Sequence, residues 1–231
     1  MQSVDAKELL EKTAKELPLT NLLFLPSTGD EFLPENPLQE GQQIKTGKEF
    51  MLSTTPDEGS LFVKGMLLRN PPLRALIAED YKTPVKILMR LLLDVPSYET
   101  EALAETYLKG MDKGHINETE WKMNLARLFS DALFECSVDS FSLAVAKKGH
   151  DVYRFVFDHK PSFSIWDDWM GVTHGDDIIF TAGTAADLTS KIKMYGRYPG
   201  DHSIALPEPS EDELEFSRDL VRTIGSFARY G

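Results

Sequence analysis

The 231-residue sequence predicts a mixed α/β chain in which helix outweighs strand. Three observations carry this. Residues 152–157, Val-Tyr-Arg-Phe-Val-Phe, are aromatic and β-branched, the composition of a strand. Residues 50–55, Phe-Met-Leu-Ser-Thr-Thr, form a second apolar run, stopped by the turn signal Pro56-Asp57-Glu58-Gly59. Between the two lie four successive segments with helical spacing. Two or three strands cannot cover the apolar faces of that much helix. The fold is therefore either mainly helical or part of a larger sheet.

Taken in order, residues 5–17 read as a surface helix, with Leu9 and Leu10 among Lys and Glu. Residues 22–26 and 29–34 are short apolar pieces broken by Pro and Gly, hence loop with at most one strand. Thr83 before Pro84 reads as an N-cap and first helical residue. The helix continues through Val85, Ile87, Leu88, Leu91 and Leu92. Residues 100–108 form a second helix ending at Gly110, and residues 120–136 a third with Trp121, Leu125, Leu128, Phe129, Ala132 and Leu133 in register. Residues 139–148 form a fourth, closed by Gly149. After the strand at 152–157 come a histidine loop, a short helix at 184–194 and a loop at 199–209. Ser210 and Glu213 make a capping-box pattern. It opens a last helix with Phe216, Leu220, Ile224 and Phe227 on one face.

Composition bounds the function. Apolar residues make up 42%, as in a globular protein, and 37 acidic against 25 basic residues give a net charge of −12. Lys and Arg form no stripe, which argues against nucleic acid or an anionic membrane as partner. The longest apolar stretch, residues 87–95, is broken by Arg90 and Asp94 and is too short to span a bilayer. Residues 1–15 are charged and contain no signal-peptide core. The single cysteine, Cys136, is either a buried thiol or half of a bond whose partner lies elsewhere.

The chemistry gathers in residues 163–177, Phe-Ser-Ile-Trp-Asp-Asp-Trp-Met-Gly-Val-Thr-His-Gly-Asp-Asp. Gly171 and Gly175 bracket His174 on a tightly turned loop. Trp166 and Trp169 are apolar anchors that pack such a loop on a core. A histidine held this way titrates near neutrality and can serve as base or acid. The alternative is a structural histidine with a satisfied hydrogen bond. The pair Asp176-Asp177 reads as a solvated loop edge or a weak attractor of cations.

Read with Thr54-Thr55-Pro56-Asp57-Glu58-Gly59-Ser60-Leu61-Phe62, the histidine stretch resembles the type-B carboxylesterase and cholinesterase family. Four further segments agree in order. They are Phe24-Leu25-Pro26 with Asp30, Phe32-Leu33-Pro34 and Pro37; residues 130–136, ending in Cys136; residues 153–160, Tyr-Arg-Phe-Val-Phe-Asp-His-Lys; and residues 227–231, Phe-Ala-Arg-Tyr-Gly. The resemblance implies an α/β-hydrolase fold and a Ser, acid, His order of the triad. Glu58 falls on the acid and His174 on the histidine. His174 would take the serine proton and return it to the leaving alcohol, while Glu58 would fix the ring's tautomer. Phe62 matches a position on the acyl side of the pocket, and Leu61 lies beside it. Leu61, Gly65 and Asp176 stand where cholinesterases carry aromatic rings that bind a quaternary ammonium. The implied substrate is therefore a general small carboxylic ester rather than a choline ester.

The sequence also departs from the family. A Gly-x-Ser-x-Gly elbow and a glycine-rich oxyanion loop are absent from these residues. Both lie N-terminal to the matched segment in the family. Residues 1–231 are accordingly expected to be a single incomplete type-B domain, a partial α/β-hydrolase fold with the N-terminal part of its sheet missing. No nucleophile is expected in this chain, and no esterase activity from it alone. The competing readings are a non-catalytic adhesion or interaction protein of the same fold and a cholinesterase. Uncovered sheet edges and apolar helix faces predict self-association. The family implies a secreted parent, and no cofactor is called for. His159 reads as structural, and His115, His150 and His202 as exposed loop histidines. No histidine pair has metal-ligand spacing. Asn117-Glu118-Thr119 is a glycosylation sequon.

Overall fold

Two strands, β1 (Glu49–Thr54) and β2 (Asp151–Val156), pair in parallel, with Glu49 opposite Asp151 and Thr54 opposite Val156. Parallel partners need a long crossover. Here helices fill it, so the chain leaves β1 and β2 at the same end of the sheet. The acid turn and the histidine loop follow those two ends directly. This computed structural model describes residues 4–16, 28–34, 47–69, 71–92, 95–109, 111, 117–187 and 207–231.

The first helix, α1 (Ala6–Glu16), starts where the Asp5 carboxylate accepts hydrogen bonds from Lys7 N and Glu8 N. Residues 28–34 form a bent loop, in which Asp30 Oδ1 accepts from Leu33 N at 2.6 Å. Residues 22–26 lie outside the described residues, as do His115, His202 and most of the helix expected at 184–194. The described part of that helix is a 3-10 turn, Ala185–Asp187.

After the acid turn come two helices that the sequence reading did not anticipate, α2 (Gly59–Arg69) and α3 (Pro71–Glu79). α4 (Lys82–Leu92) begins before Thr83, because Asp80 Oδ1 accepts from both Lys82 N and Thr83 N and caps the helix. α5 spans Ser97–Tyr107. α6 (Glu118–Ser130) is capped by Asn117, the sequon residue, whose side chain accepts from Thr119 N and Glu120 N. The helices expected at 120–136 and 139–148 are one run. A π turn, Asp131–Glu135, joins α6 to α7 (Cys136–Ala146). The histidine loop holds a 3-10 turn, Asp168–Met170, and the short α8 (Asp176–Thr181). The last helix, α9 (Glu211–Tyr230), opens on Ser210 with both capping-box bonds formed.

The main core lies among α2 to α6, around fully buried Val63, Val85, Met89, Trp121 and Leu125. Each such side chain contributes about 1.5–3 kcal/mol by leaving water. A smaller core of Phe157, Phe163, Val172 and Phe180 lies under the histidine loop and takes Leu220 from α9. The strands are thinly covered, and Tyr153 and Val156 stay more than half exposed. Among the described residues the sheet has two strands, and no helix is long and apolar enough to cross a membrane.

Two readings of single residues are corrected. His150 is buried, not exposed. Gly149, at φ 83°, turns the chain back so that the His150 ring meets Phe50 and its Nδ1 accepts from Lys48 N at 3.1 Å. Cys136 is exposed, so of its two readings the buried thiol is set aside.

Candidate active site

The acid turn, residues 55–58, and the histidine loop are stitched together by backbone. Asp57 N donates to Val172 O at 3.1 Å, and Val172 N donates back to Asp57 Oδ2 at 3.0 Å. Asp57 and Thr173 form a parallel bridge, and Ser60 Oγ donates to Thr173 Oγ1 at 2.6 Å. Two glycines make this fit possible. At Gly171, with φ 62°, a Cβ would stand 1.9 Å from Asp57 Oδ2. At Gly59 a Cβ would strike the α6 backbone, 2.1 Å from Ala126 O. Gly59 N donates instead to Ser130 Oγ at 2.9 Å, which seats the start of α2 on α6.

Glu58 is 5% exposed. Its Oε1 accepts from Thr55 N at 2.8 Å, and its Oε2 meets His174 Nδ1 at 2.6 Å. With the carboxylate accepting, Nδ1 carries the ring proton and the Nε2 lone pair is left for a proton. His174 pKa is raised, first by this hydrogen bond, with burial pulling against it and the charges of Glu58 and Asp177 adding to it. The His174 side chain is 43% exposed, so Nε2 is reachable. Among the described residues, no hydroxyl is hydrogen-bonded to His174.

Phe62 of α2 and Phe134 of the π turn flank the imidazole, with centroids 5.9 and 4.9 Å away. The two rings touch each other at 5.6 Å. Phe62 is thus beside His174. Leu61 is half-buried on the same turn of α2, and at Gly65 a Cβ would meet nothing within 4 Å. Asp176 is buried, not at a solvated edge, because its carboxylate turns inward to Thr173 N at 2.9 Å. Its pKa is raised to about 6, chiefly by burial, with the Thr173 bond opposing. Burial likewise raises Asp57, against the bond from Val172.

Sequence reasoning missed Phe134, Ser60 and Asp57. Phe134 carries no periodic signal, since the π turn alone swings it toward the histidine. Asp57 could have been found from its place beside the acid and from the Met-Gly-Val step that receives it. Among the described residues no cluster of His, Cys, Asp or Glu has the arrangement of a metal site.

The elements so far define a parallel-sheet frame with an acid–histidine pair at the carboxyl ends of its strands, a place where α/β proteins put their sites. The profile of the Carboxylesterase family matches residues 1–231, and the chain belongs to the type-B carboxylesterase family. It is similar to the acetylcholinesterase of Bungarus fasciatus, 28% identical over 239 residues that cover 100% of this chain and 36% of that protein. It is also similar to acetylcholinesterase 1 of Caenorhabditis elegans, 30% identical over 50% of this chain and 16% of that protein. With the acetylcholinesterase of Leptinotarsa decemlineata it shares 26% identity over 82% of this chain and 30% of that protein. The chain therefore spans about a third or less of the length of these relatives.

Proposed function

We propose that this chain supplies the acid and the general base of a Ser-Glu-His carboxylic ester hydrolase. His174 Nε2 takes the proton of a serine hydroxyl as it attacks the ester carbonyl, then delivers it to the departing alcohol oxygen. Glu58 holds the Nδ1 proton and stabilises the imidazolium that forms. The serine and the oxyanion donors come from outside residues 1–231, so the chain by itself turns over no ester. Phe62 and Phe134 wall the acyl side of the site, and Leu61 lies at its margin. The observation that carries this reading is the 2.6 Å contact between His174 Nδ1 and the buried Glu58.

The substrate we propose is a small carboxylic ester of general type. The names of the relatives favour a choline ester. Against that stand Leu61, Gly65 and Asp176, since none offers an aromatic face to a quaternary ammonium. A longer product in which residues 1–231 follow a Gly-x-Ser-x-Gly elbow tests both points. A fluorophosphonate probe is expected to label that product once, and simple aryl or alkyl esters to outpace choline esters. Stoichiometric labelling of the 231-residue chain alone, with turnover, would overturn the division of the triad. No label on the longer product would favour a non-catalytic relative.

A further inference from the structure

His174 sits at the second position of a tight turn, residues 173–176. Asp176 N donates to Thr173 O at 3.1 Å, and Gly175 has φ 89° and ψ −2°, the values of the third residue of a type II turn. One backbone bond usually closes such a turn. Here a second runs in the opposite direction, from Thr173 N to Asp176 Oδ2 at 2.9 Å. The peptide that carries His174 is thus fastened at both ends to one residue. The ring itself is 43% exposed and, among the described aromatic side chains, lies against Phe62 and Phe134. The turn, more than the packing of the ring, must set where Nδ1 points.

Asp176 is 4% exposed, which is an expensive place for a carboxylate. Asp177 on α8 pushes its pKa up and Lys160 after β2 pulls it down. Across the stitch lie Asp57 and Glu58, and within the turn His174. A buried carboxylate kept at that cost, with its oxygen on the backbone of the histidine turn, calls for a use.

We propose that Asp176 is a positioning residue: by holding Thr173 N it sets the pitch of the turn and keeps His174 Nδ1 on Glu58 Oε2. The inference rests on the reading of His174 and Glu58 given above. Nuclear magnetic resonance of the ring nitrogens in the 231-residue chain tests it, with the His174 signal assigned by its loss in His174→Gln. In the unaltered chain at pH 7.5 the ring is expected as the Nδ1–H tautomer, with a strongly deshielded Nδ1 proton that Glu58→Gln removes. In Asp176→Ala the deshielded proton is expected to fade and the His174 pKa to fall toward the ordinary value of ~6.5. Asp176→Asn, whose amide oxygen can accept the same bond, is expected to restore the signal.

The Asn variant separates positioning from mere stability. It keeps an oxygen acceptor for Thr173 N without the charge, so the deshielded Nδ1 proton and the raised His174 pKa are expected to persist in Asp176→Asn. This comparison decides the matter even if Asp176→Ala does not fold. A folded Asp176→Ala with an unaltered His174 signal, or a folded Asp176→Asn that has lost the deshielded proton, would overturn the proposal and leave the Glu58–His174 pair standing. A deshielded proton absent from the unaltered chain would instead remove that pair, and this inference with it.

Discussion

His174 meets Glu58 at 2.6 Å, and His159 meets Glu213 at 3.1 Å. The residue types are the same in both pairs, both glutamates are buried, and both histidines are about two-fifths exposed. The carboxylates nevertheless live differently. Glu213 accepts from Ser162 N, Ser162 Oγ, Ser210 N and Ser210 Oγ as well as from His159. It is also the third residue of the capping box of α9. Burial pushes its pKa up, yet the bonds from Ser162, Ser210 and His159 outweigh burial and hold it at about 2. Glu58 accepts from one backbone N–H and from His174. In the first pair the histidine is one donor among many, with its ring edge-on against Phe157, Phe180 and Phe216. That pair is a clamp fastening the segment after β2 to α9. In the second one carboxylate oxygen, Oε2, meets the imidazole, the other takes one backbone N–H, and the second ring nitrogen is open. What separates a structural pair from one fit to move protons is how much of the carboxylate is already spoken for.

The largest expected effect breaks the symmetry outright. In a longer product carrying a serine elbow, His174→Ala is expected to lower kcat about 10⁴-fold, with Glu58→Gln close behind. His159→Ala in the same product is expected to leave kcat within about an order of magnitude, since it touches no reacting atom. Steady-state kinetics on an aryl ester, beside thermal melts, would check this. Equal losses for the two histidines would dissolve the distinction. Stability should order the pairs the other way. Glu213→Ala removes the shared acceptor of His159, Ser162 and the Ser210 helix start, and is expected to cost roughly 1–3 kcal/mol in urea unfolding. Glu58→Ala, with one backbone donor to orphan, should cost less.

Gly171→Ala comes next, at roughly 1–3 kcal/mol. It requires φ 62° of a residue with a Cβ, and that Cβ would displace the Asp57 carboxylate. The His174 ring resonances should move with it, because Asp57 is one of the stitches that place the loop. The pH dependence of the two pairs should also run in opposite senses. Glu213 has its pKa depressed from an ordinary 4.5 to about 2, so its contribution is full above pH 4.5 and is lost as pH falls toward 2. His174 has its pKa raised above 6.5, so its contribution is full below pH 6.5 and is lost as pH rises through the folded value. Melts from pH 2 to pH 9 should show Glu213→Gln flattening the acid limb and Glu58→Gln the alkaline one. The smallest effect is that of His159→Gln, about 1 kcal/mol or less, since the other donors keep Glu213 satisfied. A larger loss would mean that the ring, and not the serines, carries the clamp.

Much of this was legible in the residues. The strands at 50–55 and 152–157 and the capping box at Ser210 rest on local signals, and the proposed roles of Glu58 and His174 on ordered motifs. The helices α2 and α3 were not legible. Gly59–Arg69 is apolar around most of its circumference and begins with a glycine, so it shows no one-sided period to read. It is helical because α6 offers Ser130 Oγ to its first N–H and a core to Val63 and Met66. The run from α6 through α7 was read as two helices broken after Cys136, whereas the π turn at Asp131–Glu135 leaves no compositional mark, and Phe134 was lost with it. His150 and Asp176 were read as exposed because their neighbours are polar or glycine, whereas burial is decided by what folds over them.

The sequence by itself determined which residues form the two strands and the capped last helix and which family the chain belongs to, and its ordered motifs nominated Glu58 and His174. These are properties of short segments, set by side-chain shape, period and spacing. Only the tertiary structure decided that the parallel pairing of β1 and β2 brings Glu58 and His174 together across more than a hundred residues of chain. It also decided that Glu213 saturates one histidine's carboxylate while Glu58 is left to the other, and that Asp176 turns inward beneath the histidine. Hydrogen bonds and burial belong to pairs of distant segments, and no single segment records which partner it will meet.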